Sequence, residues 1–307
     1  MFQLANFHIP FVKRRWYFVA FSAITVLLSL YFIATKGLNF GTDFKGGTKL
    51  QYQFSAPVSE GDVRRILETA HVEGFSVQKV GKPEENRLMV KIEKVDENEA
   101  FVQKITDDLK AGLGKDTTLE KNETVGPKAG ADLRKKAQLA LVVSWLLMLV
   151  YIGYRFDFAF APGAIIALAH DVILAVGGFA LTGREVSLTV VAALLTIVGY
   201  SINDTIVVYD RVRENLAKGL TKMSFRDIVN LSLNETLSRT IITSLTVFIV
   251  VVLMYFFGEG EFQNFGFAMM IGVITGVYST FSVACPVYIA LHEQWPSLQK
   301  ASQKSAA

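Results

Sequence analysis

The side chains best placed to do chemistry in this chain are ionisable groups set inside long apolar stretches. Asp204 ends the run Gly199-Tyr200-Ser201-Ile202-Asn203-Asp204, and Asp171 follows His170 in the middle of another stretch. Arg239 stands at the head of a third, ahead of Thr240, Thr243 and Thr246. A charge in hydrocarbon is costly unless it is paired or hydrated, so such residues are candidates for a proton or ion path. A carboxyl held in low dielectric takes up and releases a proton near neutral pH, and a nearby arginine opposes that uptake. A helix shift that joins or parts Asp204 and Arg239 would couple proton movement to shape. The static alternative is that Asp204 caps a kink or pairs permanently with Arg239, and that Asp171 makes an interhelix hydrogen bond. His170 reads as a satisfied core histidine. Four histidines and the single Cys285 offer no metal-ligand spacing. The chain has no HExxH, GxSxG or Walker sequence, so no catalytic residue, hydrolytic site or metal is expected.

These groups acquire meaning only if the stretches around them cross a bilayer. The chain has 307 residues, of which 51% are hydrophobic and 19% charged, and its mean hydropathy is +0.35. A water-soluble domain rarely has that balance. The net charge of +3 is too weak to suggest a nucleic-acid partner. Six stretches reach or approach the spanning length of about 17–25 residues: 16–35, 137–154, 160–182, 187–209, 240–257 and 262–292. The first is too long for a signal-peptide core and no cleavage pattern follows it, so it reads as a retained span. Asp204 lies seven residues before Arg211, roughly 10 Å from the boundary at about 1.5 Å per residue.

Lysine and arginine in the short loops set the orientation. Lys13, Arg14, Arg15, Arg155, Arg211, Arg213, Lys218, Lys222, Arg226, Arg239, Lys300 and Lys304 all fall on one side, which is therefore cytoplasmic. The opposite loops carry only Arg184 with Glu185, Glu259 and Glu261. One cluster disagrees: Arg134, Lys135 and Lys136 sit at the outer end of span two, where a long preceding domain weakens the rule. Both termini are expected in the cytoplasm.

Between spans one and two lies a segment of different character. Residues 37–132 hold 14 Lys/Arg and 17 Asp/Glu. Alternation predicts strands at 48–54, 75–80, 87–92 and 118–125, and helical spacing predicts helices at 59–71 and 97–113. The order β-α-β-β-α-β is the ferredoxin-like arrangement. The expected fold is thus an all-α six-helix membrane bundle with an inserted α+β ferredoxin-like extracytoplasmic domain. Its parts are 1–36 (cytoplasmic N-terminus and span one), 37–132 (the domain), 133–292 (spans two to six) and 293–307 (a cytoplasmic tail). Residues 216–237, with Phe225, Ile228, Val229 and Leu233 at helical spacing, predict an amphipathic connector helix along the cytoplasmic interface, or a plain cytoplasmic one. Gly272 and Gly276, four residues apart, predict close helix packing in span six, and Gly177 and Gly178 do so in span three.

Two longer stretches carry a resemblance. One is Gly37-Leu38-Asn39-Phe40-Gly41-Thr42-Asp43-Phe44-Lys45-Gly46-Gly47-Thr48. The other runs from Val198-Gly199-Tyr200-Ser201-Ile202-Asn203-Asp204 through Tyr209-Asp210-Arg211-Val212-Arg213-Glu214-Asn215. With Leu237-Ser238-Arg239-Thr240 they resemble the SecF family of protein-export membrane subunits, within the resistance-nodulation-division superfamily of proton-driven transporters. The resemblance extends over essentially the whole chain. It implies residence in the bacterial cytoplasmic (inner) membrane, a pseudo-symmetric heterodimer with SecD, association with the SecYEG translocon, and use of the proton motive force to draw unfolded preproteins outward. It implies no cofactor beyond the proton as coupling ion. It places Asp204 and Arg239 on the proton path and matches the family's Gly-Gly motif at Gly46 and Gly47; the glycines themselves suit a tight hinge between membrane and domain, with Asp43 placed to pin it, and Asp171 joins the proton path only as a secondary candidate, from its own position in span three. Two other readings stay open on the residues alone: a small-molecule exporter of the same superfamily needing a second half, and a non-transporting scaffold whose intramembrane acids are structural.

Overall fold

In a computed structural model the described residues are 8–93, 99–155, 160–218 and 223–294. Lys222, Lys300, Lys304 and nearly all of the tail read over 293–307 lie outside them.

Six helical segments are long and apolar enough to cross a membrane. They are α1 (Arg15–Lys36), α5 (Pro127–Arg155), α6 (Ala161–Thr182), α7 (Leu188–Ala217), α8 (Phe225–Phe257) and a final segment over Glu261–Gln294. More than half of the apolar window is buried in α6, α7 and the final segment, and only a small share in α1, α5 and α8. The first three form the inner layer. The other three expose Leu, Val, Ile and aromatic side chains such as Leu28, Leu147 and Leu253, as suits lipid-facing surfaces, since lipid tails are as apolar as leucine.

The final segment is not one regular helix. α9 (Glu261–Ser279) passes into a π-helical turn over Thr280–Ala284 and then into α10 (Cys285–Gln294). Pro286 sits just beyond that turn. Its ring has no N–H and would clash with the carbonyl four residues back, and a widened turn relieves the conflict.

Three elements differ from the sequence reading. Span two begins at Pro127, ten residues earlier than 137, because proline suits a first helical position and nothing interrupts the helix afterwards. The boundary at 132 and the Arg134–Lys136 cluster therefore fall inside α5. Span four continues to Ala217. No separate connector helix occurs among the described residues of 216–237: α8 starts at Phe225 and runs unbroken to Phe257. Ser224 caps it, accepting from the Asp227 amide and donating to the Asp227 carboxylate, and its 33 residues contain no glycine or proline. The apolar face formed by Val229 and Leu233 packs into the same core as the membrane helices.

The inserted domain holds β2 (Gly47–Phe54), α3 (Glu60–Thr69), β3 (Phe75–Val80), β4 (Arg87–Ile92), α4 (Glu99–Leu113) and β5 (Thr117–Val125). The sheet order is β3-β4-β2-β5 and every pairing is antiparallel. Alternation on β2 sends Leu50, Tyr52 and Phe54 into a core with Val63 and Leu67 of α3 and Ile105 and Leu109 of α4. The opposite face of the sheet, carrying Lys49 and Lys91, lies against Glu185 and Glu261 at the ends of the membrane helices. A short joint links the two parts: β1 (Asn39–Phe40) pairs in parallel with β6 (Glu185–Val186), and α2 (Thr42–Lys45) packs on α5.

Candidate functional site

Asp171 projects from α6 into the inner layer and has no exposed surface. Ser201 of α7 donates to its Oδ2 at 2.6 Å and Ser279, the last residue of α9, donates to the same oxygen at 2.8 Å. His170 Nδ1 lies 2.8 Å from Oδ1. One carboxylate thus ties together three helices. His170 is also buried, and its Nε2 has no partner among the described residues. The sequence reading of His170 as a satisfied core histidine holds for one nitrogen and fails for the other.

Asp204 lies one turn beyond Ser201 on α7 and is buried at the contact with α8. Among the described residues its one hydrogen bond comes from Ser244 of α8 at 3.4 Å, near the long limit for a hydroxyl donor. Arg239 is on α8, five residues before Ser244, and is exposed. No ion pair joins Arg239 to Asp204 among the described residues, so a permanent pairing of the two is not what this conformation contains. The Tyr200 hydroxyl also lies against Ser244. Thr205 of α7 and Thr280 of the π turn share a hydrogen bond at 3.1 Å, continuing the polar seam.

Gly272 and Gly276 line the α9 face against α7. A Cβ on Gly272 would stand 2.3 Å from Ile197 Cγ1, and one on Gly276 would stand 3.2 Å from Ser201 Cβ. The second contact sets how close Ser201 comes to Asp171. At the far end of α7, Arg211 pairs with Glu235 of α8 at 2.6 Å, and Asn215 donates to Ser232 and Glu235.

The motif after span one forms a second cluster at the base of the domain. Asp43 accepts from Lys49 at 3.2 Å and from the Leu188 amide at the start of α7 at 2.8 Å. Lys49 also reaches Glu261 at 3.0 Å, at the start of α9, and Lys91 of β4 contacts Glu185. Burial alone would lower the Lys49 pKa, but the bond to Glu261 and the charge of Asp43 outweigh it and hold the value above the ordinary 10.5. Gly46 and Gly47 have φ of +82° and +132°, which L side chains rarely adopt. Both are tightly packed: a Cβ on Gly46 would stand 3.0 Å from Pro127, and one on Gly47 2.5 Å from the Ile92 carbonyl oxygen. They form a joint without slack. Arg134, the residue at odds with the charge rule, lies 4.4 Å from the centroid of the Phe40 ring, a cation–π contact at this joint.

Ser201, Ser244, Ser279 and Lys49 escaped the sequence reading. Hydroxyls are common in membrane helices, and only their convergence on a carboxylate sets these three apart. Lys49 sits in an alternating strand, where its outward position was legible but its acidic partners Asp43, Glu185 and Glu261, drawn from separate segments, were not.

Residues 105–294 match the family described as protein export membrane protein SecD/SecF, C-terminal, and residues 31–58 match the SecD/SecF GG motif. The protein translocase subunit SecF of Desulfurispirillum indicum is 39% identical over 310 residues, covering 98% of each chain. That of Calditerrivibrio nitroreducens is 40% identical, covering 90% of this chain and 92% of its own. Among solved structures, the translocon-associated membrane protein SecDF of Thermus thermophilus superposes with a TM-score of 0.83 at 33% identity, over 95% of this chain and 40% of that one. A SecDF in a super-membrane-facing form superposes with a TM-score of 0.71 over 41% of its length. The chain thus spans about two fifths of the solved SecDF chains.

Proposed function

The chain belongs to the SecF family of protein translocase subunits, and from that premise we propose that it assists Sec-dependent preprotein export by coupling proton flow through its helices to movement of the inserted domain. The observation that carries this reading is Asp204, a buried carboxyl with one long hydrogen bond among the described residues, placed where α7 meets the helix that bears Arg239. A carboxylate so poorly satisfied gains more from a proton or an approaching cation than one with a full set of donors. In this scheme Asp204 takes the proton and Arg239 is the countercharge that approaches when the proton leaves. Asp171 stands behind Asp204 on the same seam, connected through Ser201. The proton is the coupling ion, no cofactor is assigned, and the chain acts as an accessory without a hydrolytic site of its own.

The loops rich in lysine and arginine support cytoplasmic termini in a bacterial inner membrane, with the domain on the outer side. The order β3-β4-β2-β5 supports reading that domain as ferredoxin-like. Its partners in this scheme are SecD, as the second half of the membrane unit, the SecYEG channel, and the unfolded preprotein. The packing of Gly46 and Gly47 supports a pivot at which Asp43 pins the domain to α7.

Asp204→Asn is the test. The variant is expected to fold and to co-purify with SecD, while export driven by a proton gradient in membrane vesicles falls to the level seen without the gradient. Gradient-driven export at the wild-type rate by a folded variant would refute the scheme.

A further inference from the structure

We propose that His170 and Asp171 form a buried dyad that binds one exchangeable proton at His170 Nε2, a second protonation site one helix away from Asp204. The hydrogen bond between His170 Nδ1 and Asp171 Oδ1, at 2.8 Å, requires one proton between them. With only that proton, the imidazole is neutral, Nε2 carries a bare lone pair, and the dyad has one negative charge. With a second proton on Nε2 the dyad is neutral overall and the Nδ1–Oδ1 bond is unchanged. Loading and unloading therefore need no rearrangement of the pair. Asp171 Oδ2 accepts from Ser201 and Ser279.

Two features separate this arrangement from a histidine that merely orients its neighbour. Nε2 is buried and has no hydrogen-bond partner among the described residues, although buried polar atoms are nearly always satisfied. Ser279 also has a second acceptor, the Gly276 carbonyl at 3.2 Å. Its hydroxyl can leave Asp171 without becoming an orphaned donor, so the pull on the carboxylate adjusts to the charge of the dyad.

Among the described residues the surroundings supply no fixed cation. From α7 the dyad faces Ser201, with Tyr200 and Asp204 the titratable groups nearest along that helix. From α9 it faces Ser279 and the Tyr278 ring, 6.2 Å from the His170 ring centroid. Ser22 of α1 bonds Tyr278 and Ser282 and is uncharged. The charged residues of α1 and α5 are confined to the ends of α1, the first ten residues of α5 and Arg155, and α10 meets α6 at the Phe160 end. Asp204 lies one turn from Ser201 on the same helix, so the scheme links the dyad to Asp204 through α7. That link to transport rests on the proton-coupled reading; proton binding by the dyad does not.

The chain has four histidines, His8, His71, His170 and His292. Full-length protein labelled with ¹⁵N-histidine in detergent micelles gives four imidazoles to follow by NMR, and His170→Gln assigns one. If that variant fails to fold, a protein with His8, His71 and His292 replaced by Gln leaves His170 alone in the spectrum. Across about pH 5–9, His170 is expected to pass from a doubly protonated ring to a single neutral tautomer with the proton on Nδ1. Asp204→Asn is expected to displace the midpoint by about half a unit or more, and Asp171→Asn by about one unit or more. A His170 that keeps one protonation state across the range, or a midpoint indifferent to Asp171→Asn, overturns the proposal. The readout needs no export, so failure of the Asp204→Asn export test leaves this result standing, and the reverse holds too.

Discussion

Asp171 and Asp204 are equally conspicuous as acids inside apolar helices, yet their surroundings are opposite. Asp171 meets three partners carried by three helices, at 2.6 to 2.8 Å. Asp204 meets one, at 3.4 Å. An ionised carboxylate offers about four acceptor sites, so the first is nearly saturated and the second nearly bare. A saturated acid holds helices in place and passes proton exchange to its neighbour His170. A bare one at a helix contact is free to exchange partners as the helices move.

The largest test of this contrast is stability. Asp171→Leu removes the acceptor of three buried donors, two of them on other helices, and at roughly 0.5–1.5 kcal/mol for each hydrogen bond it is expected to cost about 2 kcal/mol or more. Asp204→Leu is expected to cost less than about 1 kcal/mol, since one long bond is lost. Thermal melting of the two variants in the same detergent measures both, and equal losses would break the comparison. The α7–α9 contact gives the next effect. Gly272→Ala drives a methyl to 2.3 Å from Ile197 and is expected to cost about 1–2 kcal/mol by overpacking. Gly276→Ala meets Ser201 at 3.2 Å. Its expected cost in melting is below about 1 kcal/mol, but it pushes Ser201 away from Asp171 and should displace the His170 titration, which Gly272→Ala leaves in place. The smallest effect belongs to the base of the domain, where charge is again fully paired. Lys49 holds its proton more tightly when folded than the ordinary value of 10.5. Its contribution is therefore whole at neutral pH and is lost only as pH rises through that raised value. Hydrogen exchange at the Lys49 and Glu261 amides should stay flat from neutral pH up to that range once the intrinsic pH dependence is removed.

Much of this organisation was legible in the residues. Length and hydropathy locate the six spans because a bilayer imposes both, and alternation locates the strands because one face of the sheet is buried. Helix ends were misread where charge was taken for a boundary. Residues 225–239 are polar on one side, yet backbone hydrogen bonding continues through them into the apolar half of α8. Pro286 in an apolar run was a visible sign of the irregular turn. What a sequence withholds is partner count. Asp171 and Asp204 look alike until Ser201, Ser279 and His170 are seen to converge on one and not on the other.

The joint at Gly46 and Pro127 has a mechanical consequence. α5 has 29 residues, so it is a rod of roughly 44 Å, and its first turns are wedged against Phe44 and Gly46 with no room for a methyl group. Such a contact transmits angle and not merely position. A tilt of the domain by about 5° about this point would sweep the far end of the rod through roughly 4 Å, comparable to a side chain's reach. In the proposed scheme the domain and the membrane interior are then two ends of one lever, with the glycine pair as its fulcrum.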